Sequence, residues 1–479
     1  MTPSRMTIHR ALSVLFLAFA APAAALAQGV AQPDWNAVQE ETMRHFQALL
    51  RANTADGNEK LVADYLVQVF QKEGIPVQVF ALDPARPNVV ARLKGNGSKR
   101  PLLVMGHEDV VSVDSAKWTF PPFSATRNRG YVYGRGSVDD KDNVVAGLMI
   151  MLMLKRMNVP LDRDVIFLAE AGEEGSSRVG IQYMVSEHVA DIDAEYCLAE
   201  GGGVARKDGK VAYATIQTLE KRSRGIILTA RGTSGHGSVP LQDNAIVHLS
   251  RAVAAVAAWR TPVRLNETTR AYFERLATIS SPEDAARYRA VLSPDPRVVA
   301  AADEYFAANE PRHASMLRTS VSPNIITGGY RSNVIPSEAK ATLDVRMLQD
   351  EDPDAFLAAM QKVINDPQVV ATFSGAAGRP GTAPAKLGSE AFSTIEAAVK
   401  RNYQTVTIPT MGTGATDMSQ LRGKGMDCYG VGPAIDVEDG PKGFGAHSDQ
   451  ERILETELHR WVRFEWEVVR DLARARLAG

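Results

Sequence analysis

Cysteine is almost missing from this chain of 479 residues: there are two, Cys197 and Cys428. Without Cys-x-x-Cys spacing they exclude a thiolate metal cluster, and one disulfide or two buried free thiols both remain open. Charge of one sign is also missing. Lys and Arg total 54 against 56 Asp and Glu, a net charge of -2, which gives no pull toward nucleic acid or an anionic membrane. No Gly-x-Ser-x-Gly elbow precedes a helix, so a serine hydrolase is a poor reading. The Gly-rich stretch at 412–417 has no Lys-Ser/Thr after it and is no phosphate loop. Past the N-terminus, no charge-free run reaches the length of a membrane span.

The exception is the start of the chain. Arg5, His9 and Arg10 precede an apolar run from Ala11 to Leu26, and Ala25-Leu26-Ala27 forms a small-x-small cleavage site before Gln28. Residues 1–27 therefore read as a secretory signal peptide rather than a membrane anchor, because the run is short and Ala-rich. The mature protein is expected to be exported, periplasmic or secreted, with no membrane association after cleavage.

The rest is longer than one ordinary domain. Helical spacing at 36–51 and 58–73 is followed by short apolar runs at Pro101–Met105, Val165–Ala169 and Tyr196–Ala199, with a long apolar helix at Asn143–Met157. That alternation predicts an α/β fold, a mainly parallel sheet sandwiched by helices. After Glu220-Lys221 the character changes. Residues 222–380 read as an inserted, smaller α+β domain, with strands at Gly225–Arg231 and Thr342–Arg346 and helices at Asp243–Trp259 and Pro353–Ile364. Within it, 264–320 looks like an irregular, mainly helical insertion. Helices at Glu390–Asn402 and Glu451–Arg474 return to the first kind, so the larger domain comprises 28–221 and 381–479.

Ionisable residues follow the buried strands, where open parallel sheets bind ligands. The clusters are Gly106-His107-Glu108-Asp109, Glu170-Ala171-Gly172-Glu173-Glu174-Gly175 and Glu200-Gly201-Gly202-Gly203. A fourth, Gly134-Arg135-Gly136-Ser137-Val138-Asp139-Asp140-Lys141, precedes the apolar helix. Singly, each would serve as a loop or a cap. Together, so many carboxylates at one edge would resist ionisation unless cations joined them. Carboxylate with imidazole is a ligand set for zinc, cobalt or manganese. Of adjacent Glu173 and Glu174, one can bind while the other acts as a base.

On these motifs the sequence resembles the binuclear zinc metallopeptidase family of glutamate carboxypeptidase, succinyl-diaminopimelate desuccinylase and the aminoacylases, over essentially the whole mature chain. The resemblance implies that His107 and Glu200 bind one metal and Glu174 and His447 the other, with Asp139 bridging. Asp109 would orient His107, and Glu173 would be the general base for attack by a metal-held hydroxide. In Ser234-Gly235-His236-Gly237, His236 would reach the reacting carbonyl, supplied in dimeric members by the partner's lid. Asn333, Arg346, and Gly414 and Thr416 of the Gly-rich loop would hold the substrate. Trp118-Thr119-Phe120-Pro121-Pro122-Phe123 and the long insertion look closest to the carboxypeptidase S and N-acyl amino acid hydrolase branch. Glu108, Ser112, Asp142 and Gln450 depart from the family pattern without removing a ligand. The implied activity is release of a C-terminal amino acid from a small peptide or N-acyl amino acid, with two divalent ions, chiefly zinc, and a homodimer formed through the lid. A dipeptidase or aminopeptidase reading a free amine is the rival; a non-catalytic binding protein of the same fold is a second.

Overall fold

Trp35–Arg51 and Lys60–Lys72 are amphipathic helices, the first capped by the Asp34 carboxylate, which accepts the N–H groups of Asn36 and Ala37. The computed structural model describes residues 1–2, 32–375 and 379–475. Beyond residues 1–2, the expected signal peptide lies outside the described residues. Asp34–Gly479 forms one compact unit, separate from Met1–Pro33.

The central sheet of that unit runs in the order Val77–Phe80, Asn88–Leu93, Val165–Glu170, Leu102–His107, Tyr196–Ala199, Asp427–Gly430, Lys210–Glu220, Gly203–Lys207 and Ala434–Asp436, with Thr407–Gly412 also paired to Lys210–Glu220. Its middle is parallel, and the Val77 and Asn88 strands form an antiparallel edge. The middle strands are buried along their whole length, which explains why they read as unbroken apolar runs. Their register sets His107 beside Glu170, so both strands deliver their last side chains to one edge.

Helix Lys141–Arg156 is buried from Lys141 to Leu154. It approaches the sheet so closely at Gly147 that a Cβ there would lie 2.9 Å from the Phe167 ring. The amphipathic helix Glu455–Ala473 buries Trp461, Val462, Trp466 and Val469 in the same core. That helix begins later than the sequence suggests: Arg452–Leu454 is a short strand paired with Tyr131–Tyr133. Cys197 and Cys428 are register neighbours on adjacent parallel strands, and both are buried free thiols.

A second, antiparallel sheet orders Ser320–Gly328, Glu338–Met347, Arg222–Arg231 and Val369–Phe373. Alternate residues, including Ile226, Leu228, Leu343 and Val345, pack against helices Ala245–Ala258 and Pro353–Ile364. The stretch expected to be an irregular, mainly helical insertion holds four helices, Glu267–Ile279, Pro282–Ala290, Pro296–Asn309 and Pro311–Met316, of which the last three begin with Pro in the first turn. Phe273, Phe306 and Met316 share a core with Leu219, Ile408 and Met411 of the central sheet. Among the described residues no helix is long and apolar enough to cross a membrane.

Candidate metal centre

The two outer imidazoles converge on one carboxylate. His107 Nε2 lies 3.0 Å from Asp139 Oδ1, and His447 Nε2 lies 3.0 Å from Asp139 Oδ2. His447 Nε2 is also 2.7 Å from Glu174 Oε1. Ligand atoms of His107, Asp139 and Glu174 lie within 4.8 Å of one another, as do those of His107, Glu173 and Glu200. The structure thus gathers all five expected ligands and the expected base, with Glu200 brought in beside Glu173. His447 comes from a turn, at φ 60°, a left-handed conformation that costs a non-glycine residue about 1–3 kcal/mol and is concentrated at functional sites.

Support for these side chains comes from the loops. Asp109 carries two tasks. Its carbonyl meets His107 Nδ1 at 3.0 Å, while its carboxylate accepts the N–H groups of Gly172, Glu173 and Glu174 at 2.9, 3.1 and 3.0 Å. The carboxylate itself is 3.6 Å from Nδ1, so Asp109 orients His107 mainly through its backbone. Glu451 organises the loop before Asp139. It accepts from Arg135 Nη1 at 2.7 Å and from the N–H groups of Gly136 and Val138 at 3.1 and 2.9 Å. Gln450 pins the Trp118 loop by accepting from Thr119 N and donating to Lys117 O. Asp140 makes no side-chain cap; it accepts the N–H of His107 at 3.1 Å and pairs with Asn143. The Asp139–Asp140 peptide is cis.

Burial pushes the carboxyls of Glu170, Glu173 and Glu200 above the usual range, and neighbouring acids push further: Asp417 and Glu173 on Glu170, Glu174 on Glu173, Glu173 and Asp139 on Glu200. Burial opposes ionisation of Asp139 as well, yet hydrogen bonds to His107 and His447 outweigh it and hold that carboxyl low. A buried donor set built of carboxylate and imidazole alone suits hard or borderline divalent ions. The donor set fits the implied metal pair, with Asp139 offering one oxygen to each side.

The other expected residues lie apart. His236 and Asn333 are neighbours on a two-stranded ribbon, where Gly237 N donates to Asn333 O at 2.8 Å, and both are exposed. His236 Nδ1 accepts the Ser238 N–H at 3.1 Å. Among the described hydrogen bonds and ion pairs, neither meets the carboxylate cluster. Arg346 is engaged by Asp344, Nε to Oδ1 at 3.0 Å. Thr416 lines a small cavity with His107, Glu170, Glu200 and Asp417, and its hydroxyl is buried without a partner among the described residues. Gly414 faces open space. Glu108, one of the departures from the family pattern, is fully buried, and neither carboxylate oxygen has a hydrogen-bond partner among the described residues.

The guanidinium that does reach the cluster belongs to Arg379. Its Nη2 lies 3.2 Å from Glu173 Oε1 and 2.9 Å from Asp417 Oδ1. Sequence reasoning passed over it, because a lone Arg in a Gly-rich loop carries no periodicity and no motif. Asp417, at the end of the Gly-rich stretch, and Glu170, at the head of the Glu170–Gly175 cluster, carry no pattern that assigns them a role.

A family model described as peptidase family M20/M25/M40 matches residues 103–471. The chain is 28% identical over 332 residues to "Probable succinyl-diaminopimelate desuccinylase" of Staphylococcus aureus strain Mu50, covering 68% of this chain and 74% of the relative. It is 26% identical over 383 residues to the human N-fatty-acyl-amino acid synthase/hydrolase PM20D1, covering 78% and 74%. Among solved structures, the M20 family metallo-carboxypeptidase Sso-CP2 from Sulfolobus solfataricus superposes with a TM-score of 0.66 at 19% identity, over 91% of this chain and 99% of that one. At that identity the likeness is one of fold.

Proposed function

The chain belongs to peptidase family M20/M25/M40, and on that premise we propose that this metal-dependent hydrolase is binuclear and cuts an amide bond next to a free carboxylate. The products would be a C-terminal amino acid and a shorter peptide or a free acid. The observation that carries the binuclear reading is the approach of His107 and His447 to opposite oxygens of Asp139. Glu200 would complete the His107 side and Glu174 the His447 side. Zinc is the first choice of ion, with cobalt and manganese compatible with the same donors.

Two divalent ions bound there supply Lewis acidity toward the scissile carbonyl and the attacking water. The chain's own residues do the rest. Glu173 takes a proton from that water and delivers it to the leaving amine. Asp109 holds Glu173 and Glu174 in register through their backbone N–H groups. Arg379 offers the planar fork suited to a carboxylate, in a position Arg346 does not share. Thr416 adds a free hydroxyl at the cavity wall. His236 and Asn333, exposed together, would reach a site by lid closure or from a second copy in a homodimer, and His236 would then stabilise the oxyanion.

The test is a substrate panel after chelation, with zinc, cobalt or manganese added back. It would contain N-acyl amino acids, their C-terminal amides and free-amine dipeptides. The expected result is metal-dependent cleavage of the N-acyl amino acids and little cleavage of the amides. Cleavage confined to free-amine dipeptides would replace this reading with the aminopeptidase one, and binding without any cleavage would favour a non-catalytic protein. Export belongs to the same proposal; fractionation of cells making the full chain, with N-terminal sequencing for Gln28, tests it.

A further inference from the structure

Arg379 uses its donors unevenly. Nη2 is shared between Glu173 Oε1 at 3.2 Å and Asp417 Oδ1 at 2.9 Å, while Nη1 is buried with no partner among the described residues. A guanidinium facing carboxylates favours the two-pronged arrangement, one N–H to each oxygen of a single partner. Here it makes two single contacts and leaves a prong unused. The two acids it touches also differ. Asp417 is 2% exposed and gives the shorter contact. Its carboxyl interacts with that of Glu170, and burial pushes both up. Glu173 gives the longer contact and is the residue whose carboxylate must be free to work.

We propose that Arg379 is an exchange contact. In the substrate-free protein it holds Glu173. An incoming carboxylate takes Nη1 together with the share of Nη2 now on Glu173, and Asp417 remains as the fixed anchor. Binding of the substrate's carboxylate and release of Glu173 Oε1 are then one event, so a ligand lacking a carboxylate leaves the base tethered. This rests on the reading above that the substrate bears a free carboxylate. Arg379 touches the ligand; Asp417 is a positioning residue that acts through Arg379 and keeps the guanidinium in place when Glu173 lets go. No bond is made or broken in the exchange.

The prediction is thermodynamic and needs no turnover. Free L-leucine, L-phenylalanine and L-glutamate, and the α-carboxamide of each, are titrated calorimetrically into the zinc-loaded full-length protein. The quantity read is the ratio of carboxamide Kd to carboxylate Kd. In the parent protein it should exceed one for at least one of the three. In Glu173→Gln, where a neutral amide competes less for the guanidinium, the ratio should rise at least about threefold, because charge-assisted contacts are roughly twice as strong as neutral ones. In Arg379→Gln it should fall to about one, with Arg379→Lys recovering part of it. In Asp417→Asn it should fall with zinc content unchanged, and Asp417→Glu should restore it in part. A ratio of one for all three ligands in the parent overturns the carboxylate reading itself. A parent ratio above one that Glu173→Gln leaves unchanged overturns the exchange while the proposed function stands. A parent-like ratio in Asp417→Asn overturns the anchor.

Discussion

At Asp109 one side chain accepts three consecutive backbone N–H groups, those of Gly172, Glu173 and Glu174, inside a buried site. Replacing it by Asn turns one acceptor into a donor facing those N–H groups, and unsatisfied buried donors cost about 1–3 kcal/mol. Asp109→Asn should therefore weaken metal affinity about 10–100-fold, as losses in the supporting shell of a metal site do, and competition with a chromogenic chelator measures it. Glu173→Ala should behave differently. It removes the base without removing an expected ligand, so kcat should fall on the order of a hundredfold to ten-thousandfold while bound metal, counted by atomic emission, stays at the parent level. At this scale the sequence was legible wherever chemistry repeats a pattern: His107, Asp139, Glu173, Glu174, Glu200 and His447 all carry motifs, and the fold brings them together. Arg379 was illegible for a physical reason. Its role depends on where the chain places Arg379 after the strand Val369–Phe373, and no local sequence pattern around Arg379 specifies that.

Between the strands Lys210–Glu220 and Arg222–Arg231 sits a single residue, Lys221, where the chain leaves the central sheet for the smaller one. It is fully buried, and Nζ donates to Ser315 Oγ and Ser320 Oγ, both at 3.0 Å. Burial, assisted by Arg318 and Arg346 against Asp344, lowers its pKa to about 7. The unfolded chain keeps that amine protonated to about pH 10, so between pH 7 and that value the unfolded state binds more protons. This group then makes stability rise with pH, by at most about 1.4 kcal/mol per pH unit; below pH 7 both states are protonated and the burial cost is constant. Urea melts of Lys221→Met and parent at pH 7 and pH 9 should show the variant's relative stability declining as pH rises. A pH-independent difference would mean Lys221 keeps its proton. The sequence marked this place as a change of character but not as a buried cation, because a Lys after Glu reads as surface. Long elements were legible for the opposite reason. Complete burial wrote Leu102–His107 and Lys141–Arg156 as apolar runs, whereas Arg452–Leu454, three residues long, depends wholly on its partner strand.

Across the whole molecule, the carboxylates of Glu170, Glu173, Glu174, Glu200, Asp139, Asp140 and Asp417 gather at the edge of one sheet. The sequence made that legible as an α/β fold with acids after the buried strands. It did not make legible how the helices at 267–316 are used, because their apolar faces select a partner only in three dimensions. That partner is the outer part of the central sheet, through Ile408 and Met411, on the strand leading into the Gly412–Asp417 loop. Acid repulsion at one end and packing at the other give a prediction for metal removal. An ion that binds the folded chain alone stabilises it by about 4 kcal/mol at a thousandfold excess over Kd, and its loss also leaves the buried acids facing one another. Chelation should thus lower the Tm measured by calorimetry, and zinc should restore it. Asp139→Asn removes the negative charge offered to both sides, so its Tm should respond to chelator far less than the parent's. Phe306→Ala, in the insertion core, should cost about 3–5 kcal/mol and lower Tm with the chelator response intact. An equal chelator response in Asp139→Asn and parent would place the stabilising ion elsewhere than between His107 and His447.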